Sequence, residues 1–99
     1  MTEQASQLTQ ALIKQVEQLS SLAVLLEKEL QLISSRDAES LMNLLDEKTA
    51  LLTSIQALDG SIERTISDQG SMSEEDEALM ANAKKLLDDC KYRTQVNQK

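Results

Sequence analysis

Two leucine stripes that meet at one short polar joint set the limits on what this chain can fold into. Before the joint, apolar residues fall at Leu26, Leu30 and Ile33; after it they fall at Leu41, Leu44, Leu51, Ile55 and Leu58. The steps are threes and fours or their multiples, the spacing of a stripe along one side of a helix. Between the stripes stand Ser34, Ser35, Arg36 and Asp37, with no glycine among them. Two stripes parted by so short a polar break predict a long antiparallel helical hairpin. Serine and aspartate inside a helix cost only roughly a few tenths of a kcal/mol each, so one continuous helix through the joint is the structural alternative.

Composition points the same way. The chain of 99 residues has no Phe, Trp or Pro, one Tyr at position 92, and two glycines, Gly60 and Gly70. Strands draw on aromatic and β-branched residues, whereas Leu, Ala, Gln, Glu and Ser dominate here. The expectation is an all-α single domain, a helical hairpin plus a third helix, with the character of a three-helix bundle or coiled coil. Without aromatic rings its core depends on long leucine seams.

Helix one is expected from about residue 3 to residue 34. Its stripe runs Ala5, Leu8, Leu12, Val16, Leu19, Ala23, Leu26, Leu30, Ile33, and an extra step of four near Leu12 breaks a strict heptad. Leu22, Leu25 and Leu32 widen the apolar face, and a face that broad meets two neighbours rather than one. Helix two is expected over about 37–67, with Leu44 or Leu45 and Leu51 or Leu52 in the stripe, followed by Ile55, Leu58, Ile62 and Ile66. Asp37 suits its cap and Glu39 its first turn. Lys48 falls within the stripe; its stem is expected to pack while its ammonium reaches Asp46, Glu47 or a helix-one acid such as Glu27. Gly60 falls inside the helical pattern and suits a bend or a close helix contact.

Gly70 fits a position just past a helix end, where positive φ is needed. Ser73 followed by Glu74, Glu75 and Asp76 resembles a capping box, opening a third helix over about 74–96. The acids there are accounted for by the positive end of the helix dipole rather than by a cation. Helix three carries Leu79 or Met80, Ala83, Leu86 or Leu87, Cys90 and, more weakly, Tyr92 and Val96.

The net charge of −7 is uneven: −2 over residues 1–33, −3 over 34–66, −5 over 67–77 and +3 over 78–99. Nucleic acid is not an expected partner, because phosphate contacts need clustered Lys and Arg. The first ten residues, MTEQASQLTQ, hold no basic start and no long apolar run, so neither a signal peptide nor a membrane span is expected. The single cysteine, Cys90, has apolar neighbours and reads as a small buried residue in a reducing cytoplasm. With no histidine, no glycine-rich phosphate loop and one cysteine, the sequence offers no triad, no structural zinc site and no cofactor cradle. No enzymatic activity, metal or cofactor is expected; the remaining role is binding.

The stretch around the joint resembles a known family. Leu26-Glu27-Lys28-Glu29-Leu30, Arg36-Asp37, Leu41, Leu44, Glu47-Lys48 and Leu51-Leu52 are similar to the FlgN family of flagellar export chaperones. The likeness extends over about residues 8–97 and is strongest from Leu22 to Leu58. It implies a helical hairpin followed by further helix, and a cytoplasmic chaperone without ATPase activity. It also implies binding of the hook–filament junction proteins FlgK and FlgL, protection from premature assembly, and delivery to the type III export apparatus. In that family the substrate-binding part lies in the C-terminal amphipathic region. Members usually continue a few tens of residues past the point where Lys99 stands, so the chain is expected to be either a short member or one whose final binding segment lies outside this sequence. The partner-binding candidates that can be carried over are Leu79, Leu86, Leu87 and Val96. The chaperone reading predicts a hairpin monomer or weak dimer. A structural oligomerisation module with no export role, the alternative, predicts a stable parallel-helix homodimer or tetramer.

Overall fold

A computed structural model describes residues 6–98. The chain forms three helices, α1 (Gln7–Ser34), α2 (Ala38–Gln69) and α3 (Glu74–Asn97), within an elongated body of 53 × 24 × 20 Å. The start of helix one near residue 3, the stripe position Ala5 and the tail charge Lys99 lie outside the described residues. Among the described residues there is no strand; the fold is an all-α three-helix bundle.

The helix breaks at the joint rather than running through it. Ser35 caps α1 in a helical conformation, Arg36 takes a left-handed φ of 59°, and Asp37 opens α2. The amide of Asp37 donates to the Leu32 carbonyl at 3.0 Å and that of Arg36 to Ile33 at 3.1 Å. These are the paired bonds of a Schellman ending, which satisfy the orphan carbonyls of α1. Asp37 then turns its carboxylate to α2, accepting from the Ser40 amide at 3.1 Å and its hydroxyl at 2.8 Å. One residue closes a helix with its backbone and opens the next with its side chain.

α2 runs back antiparallel to α1, and α3 returns parallel to it. The pairings give the directions: Gln15 meets Asp59 and Glu29 meets Lys48, while Thr9 meets Asp76 and Asn97 meets Leu26. α1 lies in the middle. α2 and α3 both pack along it, yet among the described residues they bring no Cα pair within 8 Å of each other. The broad face of α1 therefore has two neighbours, one on each side.

The core forms two clusters along α1. Leu19, Leu22 and Leu26 meet Ile55 from α2 and Ala83 and Cys90 from α3; nearer the amino end, Leu8 and Leu12 meet Ile62. Each ambiguous leucine pair resolves in favour of the member on the α1 side. Leu44, Leu51, Leu79 and Leu86 turn inward, and Leu45, Leu52, Met80 and Leu87 stay exposed. Leu30 departs from the expected stripe and is exposed. The stripe outruns its cover, since α3 ends at Asn97, which already sits on the Leu26 carbonyl.

Candidate partner-binding surface

α3 is the least apolar of the helices, and its seat on α1 depends on two polar latches. At the amino end, Ser6 caps α1 through the Thr9 amide and Ser73 caps α3 through the Asp76 amide, both at 3.1 Å. The third residues of the two helices then join: Thr9 Oγ1 donates to Asp76 Oδ1 at 2.6 Å in a buried contact. Asp76 thus differs from the expected capping box, because its carboxylate serves α1 instead of reaching back to its own cap. Only Asp76 of the acidic run is buried, and Glu74, Glu75 and Glu77 remain in solvent around the helix start.

The second latch lies near the other end. Glu29 accepts from Lys48 Nζ of α2 at 3.0 Å and from Asn97 Nδ2 of α3 at 2.7 Å, and Asn97 also donates to the Leu26 carbonyl at 2.9 Å. One carboxylate ties all three helices. Lys48 does fold its ammonium out to a helix-one acid, and that acid is Glu29 rather than its neighbour Glu27. Asp46 and Glu47 sit on the lysine's own helix, whereas Glu29 lies on α1 across the seam and accepts from the ammonium.

Between the latches, Cys90 is 2% exposed and its Sγ lies 3.5 Å from the Leu19 carbonyl oxygen. Burial, reinforced by the neighbouring Asp89 charge, pushes the thiol's pKa up, so it stays protonated at neutral pH. On the outer side, Arg93 Nε donates to Asp89 at 2.9 Å, and that bond raises the guanidinium's pKa. Among the described residues no group of three His, Cys, Asp or Glu stands close enough to hold a metal ion, and no helix is long and apolar enough to cross a membrane.

The four carried-over candidates separate into two pairs. Leu79 and Leu86 are half-buried and pack against the core, so they attach α3 to the bundle. Leu87 is exposed and borders a cleft of about 310 Å³ between α3, α1 and Asp59 of α2. Val96 borders a cleft of about 220 Å³ with Leu26, Leu30 and Tyr92. α3 covers one side of the broad face of α1 and closes that side to a partner along most of its length.

A larger open surface lies on the opposite flank, along the seam of α1 and α2. A groove of about 560 Å³ has Leu25, Leu44 and Leu51 in its floor, with Val24 at the rim 68% exposed. Through Ser54 it runs into a groove of about 350 Å³ that reaches Lys14 and Ser61; through Lys28, Leu44 and Glu47 it runs into one of about 220 Å³ that reaches Ser40. The three form one trough. From Ala50 onward its α2 wall is built of small residues, Ala50, Ser54, Ala57 and Ser61, spaced by four, three and four, while Asn43 and Glu47 line it nearer Ser40. Sequence reading missed this surface, although the spacing of those small residues on the far edge of the α2 stripe carries its signal.

These features describe helices joined by polar latches and flanked by open apolar grooves. No curated protein and no solved structure is matched by the chain. The FlgN protein family model matches residues 1–99, the full length given. Latches, grooves and joint all fall within that match, and the chain belongs to the FlgN family of flagellar export chaperones.

Proposed function

We propose that this protein is a cytoplasmic chaperone for the hook–filament junction proteins FlgK and FlgL, holding them unassembled and delivering them to the type III export apparatus. The family match over residues 1–99 carries the reading. The physics supports it. A disordered segment that forms an amphipathic helix on binding is captured by apolar anchors in a groove between helices. This molecule offers such grooves beside α1, lined by Leu25, Leu44 and Leu51 on one flank and by Leu87 and Val96 near α3. Of the four candidates on α3, Leu87 and Val96 are the residues proposed to touch cargo.

The acidic surface suits protein cargo rather than nucleic acid. Neither a cofactor nor nucleotide hydrolysis is part of the proposal, because capture and release follow from binding alone. Calorimetric titration with the C-terminal segments of FlgK and FlgL tests it. One-to-one binding is expected, and a full-length version that binds neither segment would overturn the reading. Sedimentation at several concentrations, expected to give a monomer or weak dimer, tests the alternative of a stable oligomerisation module.

A further inference from the structure

The trough along α1 and α2 has three properties that together describe an occupant. The first is shape. Its α2 wall from Ser40 to Ser61 covers 21 residue steps, about 32 Å or six helical turns. A long straight channel of that size fits a helix and not a compact ligand. The second is texture: an apolar floor of Leu25, Leu44 and Leu51 beside the wall of Ala50, Ser54, Ala57 and Ser61. Small wall residues let another helix backbone come close, while the floor receives its apolar side chains.

The third property is charge. In a chain of net charge −7, the trough is lined by two lysines, Lys14 and Lys28, and a single carboxylate, Glu47. Neither lysine has an ion-pair partner among the described residues. They lie 14 residues apart on the same side of α1, about 21 Å along the helix. The bundle's own acids gather elsewhere, most densely at the start of α3. A positive rim on an otherwise acidic molecule selects an acidic partner.

We propose that the trough seats an acidic amphipathic helix of about six turns, its apolar seam on Leu25, Leu44 and Leu51 and its carboxylates opposite Lys14 and Lys28. The seat is separate from the α3 edge and lies on the far side of α1 from it. The inference takes from the chaperone reading only the natural source of that helix, an exported cargo chain.

The test uses the full chain and two kinds of probe, the C-terminal segments of FlgK and FlgL and a designed acidic amphipathic peptide of about 22 residues. Two double variants alter the trough: Ala50→Glu with Ala57→Glu on the wall, and Lys14→Glu with Lys28→Glu on the rim. All four positions are exposed, and circular dichroism checks that the helices remain. The wall variant is expected to weaken peptide binding at least about tenfold. The rim variant is expected to weaken it roughly threefold to tenfold at low salt, and a peptide with lysine in place of glutamate restores it. If the wall variant loses its helices, the rim variant with the reversed peptide decides alone. Peptide binding with FlgK and FlgL inert keeps the trough as a helix seat and overturns the chaperone reading. FlgK or FlgL binding that ignores both variants, with the peptide inert, overturns the trough and keeps the chaperone. Variants that change only self-association assign the trough to a second copy and overturn the proposal.

Discussion

The two seams of this bundle are built on opposite terms. α2 packs on α1 through large side chains, with Leu44, Ile55 and Ile62 buried. α3 packs on α1 through small and polar ones, with Asp76, Ala83 and Cys90 buried at intervals of seven. Large knobs hold two helices apart and leave clefts along the flank, which is where the trough lies. Small residues let backbones approach, and α3 touches α1's carbonyls directly, through Cys90 at Leu19 and Asn97 at Leu26. Hydrophobicity alone would therefore rank α3 as the weaker element, although closeness and two latches hold it.

The contrast makes opposite substitutions damaging in the two seams. Ile62→Ala should cost about 2–5 kcal/mol by opening a cavity between α1 and α2. In the other seam growth is the damaging change: Ala83→Leu should cost about 1–3 kcal/mol by forcing α3 off α1. Urea unfolding followed by circular dichroism measures both. A neutral Ala83→Leu would show that the α3 seam has room, and the contrast would fail.

Thr9→Val examines the latch. The substitution keeps the shape but removes the only hydroxyl that donates to the buried Asp76 carboxylate from α1, at an expected cost of about 1–3 kcal/mol. Because the contact joins α1 to α3 alone, the loss should appear as earlier exchange of amides in α3 than in α2. Uniform exchange across the bundle would mean that the two seams open together.

These differences mark what the sequence could disclose. The periodicity that announces each helix is local, so three helices, the joint and the Gly70 ending were all legible from residue types within a few positions. Which helix faces which is not local: Thr9 and Asp76 are 67 residues apart, and Asn97 and Leu26 are 71 apart. Lys48 illustrates the limit, since the sequence offers Asp46 and Glu47 on its own helix and acids on helix one, and only the packing of α1 on α2 selects Glu29. Arg36 illustrates another, because a left-handed joint normally announces itself by glycine and here does not. The α3 candidates, carried over from the family resemblance, are all apolar, a property shared by residues that bind cargo and residues that bind α1. Leu79 and Leu86 pack against the core clusters, while Leu87 is exposed.

The glycines separate a backbone need from a neutral position. Gly70 has φ of 78°, and an added Cβ would meet nothing within 4 Å, so Gly70→Ala should lose about 1 kcal/mol through backbone strain alone. Gly60 is helical, and its Cβ would stand 3.8 Å from the Arg64 guanidinium, an ordinary contact. The close helix contact expected there is absent among the described residues, and Gly60→Ala should gain up to about 1 kcal/mol. Thermal melts of the two variants should move in opposite directions; a destabilised Gly60→Ala would reveal a bend that the helix needs.

The smallest effect concerns two aspartates with opposite settings. Asp76 is buried between helices, whereas Asp37 is exposed and serves its own helix. The Ser40 amide and hydroxyl hold the Asp37 carboxylate in its charged form and lower its pKa below the ordinary 3.8. A depressed folded-state pKa contributes stability that is present above the unfolded value and disappears as pH falls through the folded one. Asparagine caps a helix about as well as aspartate but does not titrate, so Asp37→Asn should leave neutral-pH melting nearly unchanged. Its advantage should emerge only in acid: between neutrality and about pH 3 the variant should lose less stability than the parent chain. Melting curves for the two proteins that stay parallel through that window would show that the joint holds without the charged cap. The Schellman bonds at Arg36 and Asp37 would then be sufficient to fix the hairpin.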